Sequence, residues 1–297
     1  MGDETVTEPQ VDPRAGAPAG SRAATAWQRD VGVEPRGSGL FDAHLDPSWT
    51  VGGGVNGGFQ MAVVGSALRR VVPGKPDPLA LSAHFLSTGV PGPAQVRTRL
   101  LRDGGSLATV AADLVQEEQV RITVVASLGS LADLPQDAGA VPQPLGAARP
   151  PQLPAREKCL PTSFAPPEFV AMAPMVTRFE MLLDPGCVGW VAGEPSHRAE
   201  FRAWFRISEH DDPDPLQLLL AVDALPPVTF DLGMPGWAPT VELTAHLRAL
   251  PTPGWLRLVQ RSRNVGGGMF DEDCEVWDEA GRLVAQGRQL ARLPRGG

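Results

Sequence analysis

Two stretches of the chain have the apolar pattern of a buried helix. In the first, Gly57 and Gly58 precede FQMAVVGSALRRVV, whose arginines suit a helix C-terminus. In the second, Asp214 and Pro215 precede LQLLLAVDAL, where Asp is a favourable N-cap and Pro is accepted at the first helical position. Both runs are apolar on nearly every side, so each predicted helix must be covered over most of its surface.

Segments with a period of two follow each predicted helix, and Pro-Gly or Gly-Gly turns separate them. Between Arg198 and Ile207, the alternate positions from 199 onward are all apolar, which indicates one buried strand face. In the last predicted strand, GRLVAQGRQLARL, the arginines at 282, 288 and 292 share the outward face. A helix followed by several antiparallel strands predicts an α+β fold in which a curved sheet wraps the helix.

The two halves of the chain carry matching segments at one fixed separation. Leu81-Ser-Ala-His84 recurs 162 residues later as Leu243-Thr-Ala-His246. Three further matches have the same separation: Pro91-Gly92 with Pro253-Gly254, Gly104-Gly105 with Gly266-Gly267, and Leu128 with Leu290. Because the shared turn residues need no gap over this distance, we predict a duplicated domain.

Low-complexity segments divide the chain into parts. Residues 1–25 are rich in Pro, Gly and Ala without periodicity, which is typical of a disordered tail. Residues 131–174 contain PQPLGAARPPQLP, whose prolines remove backbone donors, so we expect a linker without regular structure. The predicted domains are then an N-terminal one at 26–130 and a C-terminal one at 175–294.

Composition narrows the possible functions. The chain has 297 residues and a formal net charge of −8, which argues against nucleic-acid binding. No apolar run approaches the roughly 18–20 residues of a membrane span, and MGDETVTEPQ does not have the pattern of a signal peptide. We therefore expect a cytoplasmic protein that does not bind membranes. Cys159, Cys187 and Cys274 lack the spacing of a zinc site or a disulfide framework, so we expect free buried thiols and no metal.

Two sequence motifs of other enzyme classes are weak or missing. Gly52-x-Gly54-x-x-Gly57 has the spacing of a dinucleotide-binding loop, but LDPSWTV before it does not have the pattern of a buried parallel strand. The chain has no Gly-x-Ser-x-Gly motif, so a serine hydrolase of the α/β type is unsupported.

Two polar residues occupy positions that the pattern assigns to the core. Asp223 lies on the same helical stripe as three leucines, where burial of a carboxylate costs free energy or raises its pKa. Gln289 has the inward parity of the last strand, and its counterpart 162 residues earlier is Ser127. Structural interpretations remain open: Asp223 as a cap of the following turn, and Gln289 as an amide paired with backbone. The acidic run Asp271–Asp273 is typical of a solvated turn.

The order of these motifs resembles the TesB-like acyl-CoA thioesterases. GGGVNGGFQMAVVGSAL, PDPLALSAHFLSTGVPGPAQV and LLRDGGSLATVAADL are similar to the first half of such proteins, and DPLQLLLAVDALPP, WAPTVELTAHLRA and GRLVAQGRQLARL to the second. The resemblance runs from about Trp27 to Leu293. It implies a double hotdog fold, meaning two helices in one chain that are each wrapped by a curved antiparallel sheet. It also implies an acyl-CoA substrate, a role in lipid metabolism, no cofactor, and a homo-oligomer such as a dimer of double hotdogs.

The resemblance also implies a site. In this family an Asp, a Thr or Ser, and a Gln hold the water that attacks the thioester, and these fall on Asp223, Thr240 and Gln289. The N–H groups around Gly57 and Gly58 would contact the developing oxyanion. Thr240 has the parity of the outward residues of its strand, so a bulge is needed to bring it into this site.

Two other functions remain open beside thioester hydrolysis. Leu243 stands where the family often has His, and this departure favours a protein that binds acyl-CoA or a lipid-like ligand without cleaving it. A hotdog dehydratase or hydratase would use a His together with a carboxylate. His84 and His246 are the histidines considered for that role, although neither is near Asp223 in sequence.

Overall fold

A computed structural model of the chain describes residues 23–134, 149–208 and 212–294. Most of the predicted tail and residues 135–148 of the predicted linker lie outside this part. Within residues 23–134, the first half has one long helix and eight strands. Its elements are α1 (Ala26–Asp30), β1 (Val33–Gly37), β2 (Leu40–Leu45), β3 (Thr50–Val51), β4 (Gly54–Val55), α2 (Gly57–Val71), β5 (Asp77–Phe85), β6 (Gly92–Asp103), β7 (Ala108–Gln116) and β8 (Gln119–Gly129).

The second half repeats this order from β11 onward, with a shorter central helix. Its elements are β9 (Leu160–Pro161), α3 (Pro167–Met172), β10 (Glu180–Leu183), β11 (Glu200–Arg206), α4 (Pro215–Ala221), β12 (Thr240–Leu247), β13 (Leu256–Arg261), β14 (Val265–Gly266), β15 (Met269–Trp277) and β16 (Leu283–Arg292). Short 3₁₀ turns connect several of these elements.

Fourteen of the described strands form one antiparallel sheet, and β3 and β4 form a separate pair. The order β2-β6-β7-β8-β5 in the first half is followed by β12-β16-β15-β13-β11 in the second, so the two halves mirror each other across the β5–β12 pair. Helices α2 and α4 contact each other, and all seven residues of α4 and ten of the 15 residues of α2 are buried. The prediction of an α+β fold with two helices wrapped by antiparallel strands is confirmed.

The seam between the halves shows the duplication directly. Ser82 and Thr244, which are 162 residues apart, lie opposite each other in the β5–β12 pair, and their hydroxyls are hydrogen-bonded. Equivalent residues therefore meet at a local two-fold axis. His84 and His246, which are likewise equivalent, are both exposed on the outer face of this pair.

The constant separation does not hold in the final strand. Leu81 pairs with Ala126, whereas Leu243 pairs with Gln289, so the separation there is 163 residues. The connection between β15 and β16 is longer than the tight turn between β7 and β8, and it adds one residue net. The counterpart of Gln289 is therefore Ala126, and the predicted match to Ser127 is wrong.

Two glycines of α2 allow it to pack closely against α4. A Cβ at position 58 would lie 2.8 Å from the carbonyl oxygen of Leu219, and a Cβ at position 65 would lie 2.8 Å from Leu216 Cδ2. A larger residue at either position would push α2 away from α4.

Among the described residues no helix has the length and apolar character needed to cross a membrane. The three cysteines are free and buried, as predicted.

Part of the predicted linker has regular structure. Within residues 156–174 the chain forms β9, α3 and several 3₁₀ turns, so the expectation that prolines prevent regular structure does not hold here. The prolines occupy positions that need no backbone donor, since Pro167 opens α3 and Pro161 lies in an edge strand. We call residues 160–176 the wall segment, because they cover the cavity described next.

Candidate active site

A cavity of about 910 Å³ lies between the wall segment, the start of α2, the end of α4 and the inner face of β12, β15 and β16. Most of its lining is apolar, and large side chains dominate. The large apolar side chains of the lining are Phe85, Phe164, Phe169, Met172, Met175, Met181, Trp190, Leu225, Phe230 and Trp237. Polar side chains interrupt this surface, among them Asn56, Asp223, Thr240, Glu272 and Gln289. A cavity of this kind suits a ligand with a long apolar part and a polar group at one end.

Asp223 lies in a turn directly after α4, and not within the helix as predicted. The helix ends at Ala221, and the N–H of Asp223 bonds the carbonyl of Leu220 at 3.0 Å in a tighter turn. Pro226 and Pro227 follow closely, and a proline disfavours helical geometry in the residue before it. The early end of α4 directs the chain, and with it the Asp223 side chain, toward the start of α2.

The carboxylate of Asp223 is held by the first half of the chain. Its Oδ2 accepts hydrogen bonds from the backbone N–H of Gly58 at 2.8 Å and from Asn56 Nδ2 at 3.0 Å. Asn56 is also the N-cap of α2, because its side-chain oxygen accepts from the N–H of Phe59 at 2.9 Å. Burial raises the pKa of Asp223 to about 6, although the bonds from Gly58, Asn56 and Gly57 act in the opposite direction. At neutral pH this carboxylate is ionised but basic enough to accept a proton.

A bulge brings Thr240 to Gln289. Thr240 pairs with Ala291 and Glu242 pairs with Leu290, so Val241 is the extra residue in β12. Without this residue Thr240 would have the outward parity predicted from the sequence. Its hydroxyl instead donates to Gln289 Oε1 at 2.6 Å. Gln289 lies on the inward face of β16 and is 7% exposed.

Glu272 is another polar residue of the cavity, and the sequence did not single it out. It lies opposite Gln289 in the β15–β16 pair, and it accepts hydrogen bonds from Gln289 Nε2 and, at 2.7 Å, from the N–H of Val228. Burial raises the pKa of Glu272 to about 8 against the effect of the Val228 N–H, and the charge of Asp223 raises it further.

The interpretation of residues 271–273 as a solvated turn is wrong, because they lie within β15 and both Asp271 and Glu272 are buried. Inward parity was the available signal for Glu272, since Phe270, Cys274 and Val276 are apolar and lie on the same face.

Gly57 and Gly58 lie where α2 begins, and the structure shows what their N–H groups contact. The Gly58 N–H donates to Asp223, and that of Gly57 also lowers the pKa of this carboxylate. A Cβ at position 57 would lie 2.9 Å from the ring of Phe85 and 3.0 Å from Asp223 Oδ2. These glycines therefore let the carboxylate approach the helix N-terminus, where the partial positive charge favours an anion.

The equivalent positions of the first half carry no such polar groups. By the register of the two halves, Pro78 corresponds to Thr240, Val110 to Glu272 and Ala126 to Gln289. All three are apolar, and Val110 and Ala126 are fully buried. Since the same fold is built there without an acid or an amide, the polar group of the second half is not a requirement of the fold.

Neither His84 nor His246 lines the cavity. In the described part of the chain, no group of three or more His, Cys, Asp or Glu side chains is arranged to hold a metal ion.

Comparison with known proteins places this arrangement in a fold and then in a family. A conserved protein from Alicyclobacillus acidocaldarius with a hot dog fold is 20% identical, has a TM-score of 0.77, and matches over 92% of this chain and 100% of that one. With two such units in one chain, the fold is a double hotdog. Residues 45–129 match the model of the acyl-CoA thioesterase N-terminal domain, and residues 156–293 match that of the C-terminal domain. The chain belongs to the acyl-CoA thioesterase family.

Several other known proteins are similar to this chain. A candidate thioesterase II from Thermobifida fusca is 32% identical, with a TM-score of 0.79 over 92% of this chain and 99% of that one. The acyl-CoA thioesterase II TesB2 of Mycobacterium marinum is 16% identical, has a TM-score of 0.63, and matches over 92% of this chain and 99% of its own, which shows the fold alone. The uncharacterized protein Rv0499 of Mycobacterium tuberculosis is 33% identical over 274 residues, which is 86% of this chain and 91% of that protein.

Proposed function

We propose that this protein hydrolyses an acyl-CoA thioester, with Asp223 as the base that activates water and with Thr240 and Gln289 as the groups that orient it. The observation that carries the proposal is the placement of a carboxylate with a near-neutral pKa in the wall of an apolar cavity that also contains a hydrogen-bonded Thr–Gln pair. Acyl-CoA has the matching chemistry, because an apolar chain is joined to a polar carrier at the thioester.

In the proposed reaction, Asp223 accepts a proton from water as the water oxygen attacks the thioester carbonyl carbon. The resulting tetrahedral oxyanion collapses, the carbon–sulfur bond breaks, and the CoA thiolate takes the proton from Asp223. The products are a carboxylic acid and free CoA. No covalent enzyme intermediate is formed, and no cofactor takes part in this sequence.

The Thr240–Gln289 pair fits the orienting role. The Thr240 hydroxyl uses its hydrogen to bond Gln289, so its oxygen can accept a hydrogen bond from water. One N–H of the Gln289 side chain bonds Glu272, and the second is available for water or for the thioester oxygen. Gly57 and Gly58 had been expected to contact the oxyanion. We propose instead that their N–H groups stabilise the ionised form of Asp223.

The non-catalytic alternative was motivated by the altered segment around Thr240. The bulge in β12 weakens that motive, because it directs the hydroxyl to Gln289 in spite of the sequence parity. A dehydratase or hydratase is less favoured, because His84 and His246 are exposed and do not line the cavity. Homo-oligomeric assembly, a cytoplasmic location and a place in lipid metabolism remain part of the proposal.

The direct test is a thiol-release assay on purified protein across a panel of acyl-CoA chain lengths. We expect release of CoA and of the free acid in equal amounts, with preference for substrates whose acyl chain fills the apolar cavity. A bound thioester that persists over hours in native mass spectrometry would favour the non-catalytic alternative. Hydration of an enoyl-CoA or dehydration of a hydroxyacyl-CoA without loss of CoA would favour the dehydratase or hydratase alternative.

A further inference from the structure

Glu272 has no counterpart in the first half, where Val110 occupies the same position of the same strand. It is 3% exposed and lies opposite Gln289 in the β15–β16 pair, on the cavity side of β15. An acid buried at this depth is costly, and the duplicated domain is built without one. A structural explanation exists, because Glu272 accepts the N–H of Val228 at the start of a 3₁₀ turn, where donors lack partners within the turn. This structural explanation and a functional one make different predictions.

The hydrogen bonds through Glu272 have a direction. In the ionised form of Glu272 both carboxylate oxygens accept: the Val228 N–H is a fixed backbone donor to Oε1, and Gln289 Nε2 donates to Oε2. Because the amide nitrogen of Gln289 is held by Glu272, its amide oxygen faces Thr240 and accepts the hydroxyl hydrogen. If the Gln289 amide were rotated by half a turn, its nitrogen would face Thr240, and the Thr240 hydroxyl would have to accept instead of donate.

We propose that Glu272 is a positioning residue which, through its hydrogen bond to Gln289, sets the orientation of the Gln289 amide and thereby the direction of the Thr240 hydroxyl. It does not touch the substrate or the reacting water. The kinetic consequences of this inference rest on the proposed function. Its structural consequence, the orientation of the Gln289 amide, does not.

The variant Glu272→Gln separates positioning from capping. Its single side-chain oxygen can still accept from the Val228 N–H, so the turn keeps its cap. Its amide nitrogen then faces Gln289, and the Gln289 amide must rotate to present its oxygen. The matched control is Glu275→Gln, which makes the same change on the opposite face of the same strand.

Above about pH 8, where the wild-type Glu272 carboxylate is ionised, we expect Glu272→Gln to lower kcat roughly tenfold or more, because misdirected catalytic groups lose their alignment with the substrate. The Kd for a non-hydrolysable thioether analogue of acyl-CoA should be unchanged, since Glu272 does not contact the ligand. Combined with Gln289→Ala, Glu272→Gln should have little further effect, because it acts through Gln289. Wild-type kcat in Glu272→Gln, or an equal loss in the presence and absence of Gln289, would overturn the inference.

A second readout does not depend on activity. In spectra recorded above about pH 8, the side-chain amide resonances of Gln289, assigned by their absence in Gln289→Ala, should shift in Glu272→Gln and remain in place in Glu275→Gln. Unshifted resonances would overturn the inference whatever the kinetics. If the wild-type protein released no CoA from any substrate while these resonances shifted as expected, the proposed function would fail and the positioning of Gln289 would stand.

Discussion

Replacing Asp223 by asparagine tests the proposed base with little change of shape. Oδ2 receives the hydrogen bonds from Gly58 and Asn56, and an asparagine oxygen in the same place can accept both. What the variant lacks is the charge and the ability to take a proton. General base catalysis contributes typically about 10²- to 10⁴-fold, so we expect acyl-CoA hydrolysis to fall by at least about 10²-fold. In the wild type, kcat/KM should rise with pH through about 6 as Asp223 ionises.

The same substitution should increase stability. A pKa raised from 3.8 to about 6 means that the folded protein binds this proton more tightly than the unfolded chain does. The proton therefore stabilises the folded state fully below about pH 4, and this contribution is lost as pH rises through about 6. Asparagine has no such loss. We expect the free energy of unfolding of Asp223→Asn to exceed that of the wild type by up to about 3 kcal/mol above pH 6.

Two measurements decide whether this reasoning holds. CoA release should be followed for the wild type, for Asp223→Asn, and for Asp133→Asn as an exposed control. Urea unfolding should be followed by tryptophan fluorescence between pH 4 and pH 8. Full turnover in a folded Asp223→Asn protein would refute its role as the base. A stability difference that stays constant with pH would show that burial does not raise the pKa of this carboxylate.

Three further experiments, two substitutions and one labelling reaction, have definite expected outcomes. Thr240→Val keeps the β-branched shape but removes the donor to Gln289, so kcat should fall about tenfold with little change in KM, and an unchanged kcat would contradict the orienting role. Gly58→Ala places a Cβ 2.8 Å from the Leu219 carbonyl oxygen, so it should lower the free energy of unfolding by about 1–3 kcal/mol in urea melts. The control Gly105→Ala should not lower it, because a Cβ at position 105 meets nothing within 4 Å. Because burial raises the pKa of all three cysteine thiols, the native protein should react slowly with an aromatic disulfide reagent, and rapid labelling would contradict their burial.

The sequence could identify Asp223 and Gln289 because each interrupts an otherwise apolar face. It could not give the end of α4, since LQLLLAVDAL continues the helical pattern beyond the point where the chain turns. Thr240 shows a different limit. A bulge adds one residue and reverses the parity of what precedes it, and nothing in the local composition marks Val241 as that residue.

Glu272 was missed for another reason. Three consecutive acids indicate a solvated loop when they are read as a run, but only alternate residues of a strand share a face. The wall segment shows that proline, which is unfavourable in helix interiors and central strands, is accommodated at helix starts and in edge strands. In each case the tertiary structure decided between two local patterns that the sequence left equivalent.

The contacts of Asp223 explain why this site needs both halves of a duplicated chain. The carboxylate comes from the second half, whereas Asn56 and Gly58, which bond it, come from the first. The second half also supplies Thr240, Gln289 and Glu272, while the residues at the three equivalent positions of the first half are apolar. Duplication therefore allowed one copy to keep apolar residues at these positions and to contribute a helix N-terminus. The other copy could accept the cost of buried polar groups, because the first copy holds its carboxylate in the ionised, reactive form.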